Sequence, residues 1–288
     1  MLPIPYESTF IETNGVRLHV ITTGSKDGKP VMLLHGFPEF WYGWRYQIPA
    51  LVEAGFRVIV PDQRGYNLSD SPKDVSFYKP TILCQDVLSL LDYFEIEKVN
   101  LVAHDWGAVL SWGIALMFPE RVERLCSLGV PHTTVGLRFL THSLRQIMKS
   151  WYVIFFQIPG FADWLIKRNN FAGGEWIMHH VGKQGTFSET DIARYKEAWS
   201  NSKGFTSMIN WYRGFARYGL LTPKDIQMHL PVLIQWGKQD PLLSYQMAEA
   251  SLKLCDHGKV IMYENATHWV QHDEAEAVNH NLLKFLKE

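Results

Sequence analysis

Apolar residues in this chain fall into two kinds of run. Short continuous stretches recur at VMLLHG (ending at Gly36), FRVIVPD (56–62), VNLVAHD (99–105), ERLCSLGVP (123–131), PVLIQWG (231–237) and KVIMYEN (259–265). Runs of this kind suit strands buried on both faces of a sheet. Between them lie segments with helical spacing: IPALVEAG (48–55), TILCQDVLSLLDYF (81–94), WGAVLSWGIALMF (106–118), QMAEASLKL (246–254) and EAEAVNHNLLKFL (274–286). Near the start, STFIETNGVRLHVITTG alternates apolar and polar residues around Asn14-Gly15, which predicts a hairpin. Strand and helix otherwise alternate, so the pattern predicts an α/β fold: a mostly parallel twisted sheet with helices on both faces.

One interval breaks the rhythm. From about 132 to 228 no buried strand is evident, and the chain offers helix-like, aromatic-rich stretches instead: SLRQIMKSWYVIFFQI, FADWLIKRNNF, DIARYKEAWSN and SMINWYRGFARY. The expected organisation is a core in two parts, 1–131 and 229–288, with a helical cap at 132–228 inserted between two late strands. Such an insertion would lie over the carboxyl edge of the sheet, where open α/β sheets bind ligands.

Composition narrows the class without changing this picture. The 288 residues are 47% hydrophobic and 14% aromatic, enough for a substantial core. Twenty-eight basic and 29 acidic residues leave a net charge of −1, and no basic run suggests nucleic acid or an anionic membrane surface. Cys84, Cys126 and Cys255 lie far apart and form no CxxC pair, which fits a reducing, cytoplasmic setting. The first residues lack the charged start and apolar run of a signal peptide, and no window reaches the ~20 apolar residues of a membrane span. No HExxH, ligand cluster or glycine-rich phosphate loop occurs, so no metal and no nucleotide cofactor is expected. Monomer and homodimer are both compatible with the sequence.

The chemistry centres on LVAHDWGA (101–108). Asp105 ends an expected strand and a helix follows at once, with Ala103 and Gly107 two residues to either side. Small residues are needed at such a sharp turn, which exposes the central side chain and aims the helix's first N–H groups at it. Alone, Asp105 would pass for a helix N-cap. Three further features point to a reaction. HGFPEFWYGWR begins at His35, just past a strand, where the backbone N–H of Phe37, with that of Trp106, would form an oxyanion hole. Asp240, in LIQWGKQDP, lies just beyond another strand. Of the twelve histidines, His268 in YENATHW follows the last strand. The order Asp105, Asp240, His268 is nucleophile, acid, base, as in α/β-hydrolase triads. His104 is expected to point away from Asp105, and His272 to be a surface helix residue.

These motifs are together recognisable. HGFP (35–38), DQRGYNLSDSP (62–72), HDWGA (104–108), WGKQDP (236–241) and ATHW (266–269) occur in the order found in the α/β-hydrolase superfamily. The chain resembles that superfamily over nearly its whole length. Within it, the chain is most similar to the soluble-type epoxide hydrolases, which are hydrolases acting on ether bonds. The resemblance implies an aspartate nucleophile. A carboxylate is already ionised at neutral pH and can attack an sp3 carbon from the back, giving an alkyl ester of Asp105. His268, oriented by Asp240, would then activate water to hydrolyse the ester. The resemblance also assigns Tyr152, in SWYVIFFQIPG, and Tyr212, in NWYRG, as donors to the epoxide oxygen.

Haloalkane dehalogenases share the triad, and Trp106 would then serve as a halide donor, leaving the tyrosines idle. Fluoroacetate dehalogenases place arginines after the nucleophile to hold a carboxylate; here Trp106, Gly107, Ala108 and Val109 follow it. A serine esterase is disfavoured by Asp105 itself, since Ser111 lies beyond the turn. A non-catalytic small-ligand receptor of the same fold would not need the whole set. The expected pocket walls are Phe37, Trp41, Trp106, Phe155, Phe156, Trp211 and Trp269, a lining for a small hydrophobic epoxide, with water as the second reactant.

Overall fold

A computed structural model of the protein describes residues 3–201, 205–221 and 225–288; the chain's first two residues and two short stretches of the 132–228 insertion lie outside this set. Asn14 and Gly15 both adopt positive φ, closing the hairpin of β1 (Glu7–Thr13) and β2 (Val16–Thr23). This is the backbone that a two-residue hairpin turn demands. Then follow β3 (Pro30–Leu34), α1 (Gln47–Glu53), β4 (Arg57–Pro61), α2 (Pro80–Tyr93), β5 (Val99–His104), α3 (Trp106–Met117) and β6 (Val122–Leu128). The insertion supplies α4 (Thr133–His142), α5 (Leu144–Lys149), α6 (Trp151–Phe155), α7 (Phe161–Val181), α8 (Glu189–Asn201) and α9 (Phe205–Tyr218). The chain closes with β7 (Met228–Gly237), α10 (Gln246–Leu252), β8 (Cys255–Tyr263), α11 (Val270–Asp273) and α12 (Ala275–Lys287).

The eight strands form one sheet in the order β1-β2-β4-β3-β5-β6-β7-β8. The β1–β2 and β2–β4 pairs are antiparallel, and the remaining pairs are parallel. All six residues of β5 are buried, as its continuous apolar run predicts. The last strand differs. KVIMYEN reads like a buried strand, yet no residue of β8 is fully buried, because it is the sheet's edge and has a neighbour on one side only. Two apolar layers cover the sheet. One contains Leu34, Leu101, Trp112 and Trp236 together with insertion residues such as Trp199, Phe205 and Trp211; the other contains Trp44, Val58, Val102, Leu282 and Phe285. Among the described residues no helix is long and apolar enough to cross a membrane.

The DQRGYNLSD stretch holds the region below the insertion together. Asp62 accepts from the Trp41 backbone N–H (2.9 Å) and from the Asn67 side chain (2.7 Å), and lies 2.6 Å from His19 Nδ1. Arg64 grips Asp86 of α2 in a two-point ion pair of 2.8 and 2.6 Å, and Asn14 of the hairpin turn donates to the same carboxylate at 2.6 Å. The Arg64 carbonyl accepts the Trp211 indole N–H at 2.9 Å, which ties α9 to the sheet. Arg64 and Asp86 are both buried. Arg64→Met should therefore cost about 3–5 kcal/mol, since it strands a buried charge, and Arg64→Met with Asp86→Leu should recover most of that. Urea unfolding midpoints measure both, and a single-variant loss below about 1 kcal/mol would contradict the assignment.

Candidate active site

Strand β5 ends at His104 and α3 begins at Trp106, so the whole turn falls on one residue. Asp105 takes φ 49° and ψ −124°, a conformation that side-chain-bearing residues rarely adopt. Two glycines make room for it. A Cβ on Gly36 would collide with the Asp105 side chain, and one on Gly107 would collide with the carbonyls of Leu34 and His35. These contacts are the reason for small residues beside the turn.

Four segments meet there. The Phe37 backbone N–H, from the loop after β3, donates to Asp105 Oδ1 at 2.7 Å. The other expected donor, the Trp106 backbone N–H, opens α3. His268, from the loop after β8, places Nε2 3.6 Å from Asp105 Oδ2 and Nδ1 2.9 Å from Asp240 Oδ2. Asp240, beyond β7, is held by the backbone N–H groups of Leu242 (2.7 Å) and Leu243 (2.9 Å) on its other oxygen. Three residues apart in sequence thus form one line of carboxylate, imidazole and carboxylate, with His268 and Asp240 buried and Asp105 half-buried at the chamber end. Burial opposes charge on His268, but Asp240 and Asp105 on its two nitrogens outweigh it and raise its pKa to about 10. Burial likewise pushes the Asp105 carboxyl up, and the hydrogen bond and charge of His268, with smaller help from His104 and the Phe37 N–H, bring it below its ordinary value.

Tyr152 of α6 and Tyr212 of α9 face Asp105 from the insertion, with ring centroids 6.0 Å apart. Burial and the nearby Asp105 charge raise both phenols well above 10, so both stay protonated. Tyr212 is fixed by edge-on contacts with Phe37 (5.3 Å) and Trp106 (4.9 Å). Asp105, Tyr152 and Tyr212 line two chambers at once. The larger, about 640 Å³, runs beneath α5, α6 and α7, past Phe37, Phe155, Phe156 and Trp269. The smaller, about 100 Å³, is bounded by Trp106, Val130, Leu137 and Leu243.

Five of the seven expected wall residues therefore line a chamber, and two do not. Trp41 packs against Tyr6 at 5.7 Å, and its backbone N–H is committed to Asp62. Trp211 stands behind Trp106, at 6.1 Å, with its indole held by Arg64. Trp211 thus backs a side chain that lines the smaller chamber, but neither tryptophan borders either of the two chambers. Ser111 donates to the Gly107 carbonyl within α3 and faces away from any chemistry.

His272 corrects another expectation. It is buried, and its Nε2 lies 2.8 Å from Glu39 Oε1. Glu39 also accepts from Tyr195 (2.7 Å) and Gln271 (3.0 Å) and sits 3.5 Å from His104 Nδ1, while His104 Nε2 reaches the His268 carbonyl at 3.0 Å. His104 thus turns away from Asp105, as expected, and supports the backbone of His268. The sequence reading passed over Glu39. Its only signal is an acid inside the aromatic stretch HGFPEFWYGW, where a solvated carboxylate would be out of place. Arg145 and Lys149 of α5 also border the larger chamber, and Lys149 Nζ donates to the Asp240 carbonyl at 2.7 Å.

Known proteins share this architecture. The family model for the alpha/beta hydrolase fold matches residues 29–275. The AB hydrolase superfamily protein YfhM of Bacillus subtilis is 38% identical over 278 residues, covering 96% of this chain and 97% of that protein. Epoxide hydrolase 4 of Homo sapiens is 34% identical over 289 residues, covering 96% of this chain and 78% of its own length. The crystal structure of Bacillus megaterium epoxide hydrolase in complex with an inhibitor matches with a TM-score of 0.90 and 30% identity, over 97% of this chain and 100% of that one. Likeness that spans the sheet, the insertion and the turn at Asp105 alike makes this chain a member of the α/β-hydrolase superfamily, alongside the epoxide hydrolases.

Proposed function

We propose that the protein hydrolyses hydrophobic epoxides to vicinal diols through an ester on Asp105. The observation that carries this reading is the position of Asp105. It is a half-buried carboxylate facing two protonated phenols, Tyr152 and Tyr212, where two largely apolar chambers meet. The names of the relatives support the same reaction class. In this reading residues 132–228 act as a cap over a core made of 1–131 and 229–288.

The charges close into a cycle. At rest the line is Asp105 carboxylate, His268 imidazolium and Asp240 carboxylate. Asp105 attacks one epoxide carbon, the C–O bond breaks, and a tyrosine gives its proton to the oxygen. Esterification removes the Asp105 charge, which had helped hold the proton on His268. The His268 proton can then restore the phenol, leaving a neutral imidazole beside the ester. That imidazole takes a proton from water as the water attacks the Asp105 carboxyl carbon. The Phe37 and Trp106 N–H groups receive the oxyanion. Collapse releases the diol and regenerates carboxylate and imidazolium, so no net proton is consumed. The unequal chambers favour an epoxide with one large and one small substituent.

One observation favours a second reading. The Trp106 indole N–H, close to the Tyr212 hydroxyl, closes no hydrogen bond of good geometry, and a halide could take it. A halide leaves without a proton, whereas an alkoxide does not, so the tyrosines discriminate. Incubation with styrene oxide and with 1-bromobutane should give diol and no bromide. Tyr152→Phe and Tyr212→Phe should each slow ring opening, and the double variant should lose on the order of a hundredfold or more. Bromide without diol, or a double variant as fast as the parent, would favour the dehalogenase instead.

Ester formation precedes the step that needs a base. His268→Gln incubated with styrene oxide should therefore gain one substrate mass by intact-protein mass spectrometry, and His268→Gln with Asp105→Ala should gain none. No adduct in the single variant, in protein that still folds, would sink the two-step scheme.

A further inference from the structure

The insertion leaves large apolar side chains in water. Leu144, Met148 and Ile154 are 79%, 70% and 72% exposed, and Trp151, Trp164 and Trp176 are each about half exposed. They form one face. Trp151 packs on Phe155 (5.9 Å), Phe155 on Phe161 (6.2 Å), and Phe161 stacks on Trp164 (6.1 Å). Met148, Trp151 and Trp176 also line the larger chamber, so the cavity opens through this face. A patch of this extent on a soluble protein marks an interaction surface.

Its charge identifies the partner. Between Arg124 and Ala162 the sequence has no acidic residue. From Thr133 to Val181 it has five cations and two acids, Asp163 and Glu175. Both acids are neutralised, by Arg213 and Lys196 respectively, at 2.6 Å each. Arg145 and Lys149 border the cavity mouth, and the Arg168 guanidinium lies 5.0 Å from the Trp164 ring centroid. Tryptophans and long apolar residues interleaved with cations suit a headgroup region, where rings bury their bodies and basic side chains reach phosphates. A second copy of the chain fits poorly. Two-fold pairing sets the same patch against itself, cation facing cation, with no free acid to separate them.

We propose that this face docks on an anionic lipid bilayer, with Leu144, Ile154 and Trp164 entering the headgroup layer and Arg145 and Arg168 meeting lipid phosphates. The cavity mouth then opens towards the lipid, giving apolar molecules dissolved there a path to Asp105 that avoids water. Docking does not depend on the epoxide reading; delivery of substrate from the bilayer rests on it.

Co-sedimentation with phosphatidylcholine vesicles, with and without phosphatidylglycerol, tests the proposal, and styrene oxide turnover is read on the same samples. Wild type should sediment with the anionic vesicles, much less with neutral ones, and salt should release it. Arg145→Glu and Arg168→Glu should each weaken binding about fivefold or more. The triple variant Leu144→Ser, Ile154→Ser, Trp164→Ser, none of which lines the cavity, should lose binding and keep turnover in vesicle-free buffer. Active wild type that ignores vesicles, equal binding to neutral vesicles, or a triple variant that still binds would overturn the proposal. So would a triple variant whose only change is from dimer to monomer. Inactive protein that still binds anionic vesicles would leave docking intact and remove the epoxide reading.

Discussion

Asp105 is held at positive φ between β5 and α3, with the backbone of Gly36 and Gly107 packed closely about the turn, and much of the surrounding structure follows from that constraint. Gly36 and Gly107 must lack side chains, and the loop after β3 must pass close enough for the Phe37 N–H to reach the carboxylate. The same turn ends a fully buried strand, so the carboxylate emerges at the carboxyl edge of the sheet. Asp240 and His268 follow the next strands on one side and reach it from there. Strain at a single backbone position is tolerated because neighbouring strands and helix over-determine it.

A buried imidazolium between two carboxylates is stable at rest and becomes a base only when one carboxylate loses its charge. On the proposed mechanism this is how one histidine serves both half-reactions: the chemistry of the first step changes the pKa needed for the second. Glu39 contributes from behind. It links the core residues His104 and His272 to Tyr195 of α8, so the backbone that carries His268 and the helical insertion share one buried polar cluster.

The sheet was legible because buried parallel strands read as unbroken apolar runs; only β8, at the edge, failed that rule. The chain order of Asp105, Asp240 and His268, each just past a strand, was also legible, because topology alone brings strand ends to one edge. Side-chain direction was not. Trp41 and Trp211 have the composition of a pocket wall, but the Trp41 ring packs on Tyr6 and the Trp211 indole donates to the Arg64 carbonyl, long-range contacts that no local pattern announces. His272 read as a helix-face residue because its partner, Glu39, lies more than two hundred positions away. The near-zero net charge concealed a stretch of the insertion, Thr133 to Val181, whose two acids are both paired with cations, since charge summed over a chain says nothing of its distribution.

Isotope tracing tests the central claim most directly. A single turnover of styrene oxide by excess enzyme in water enriched in oxygen-18 separates attack by Asp105 from direct attack by water. If Asp105 is the nucleophile, the first diol carries an unlabelled oxygen from its carboxylate, and the label appears in the peptide containing Asp105. Label in the first diol and none in that peptide would contradict the account.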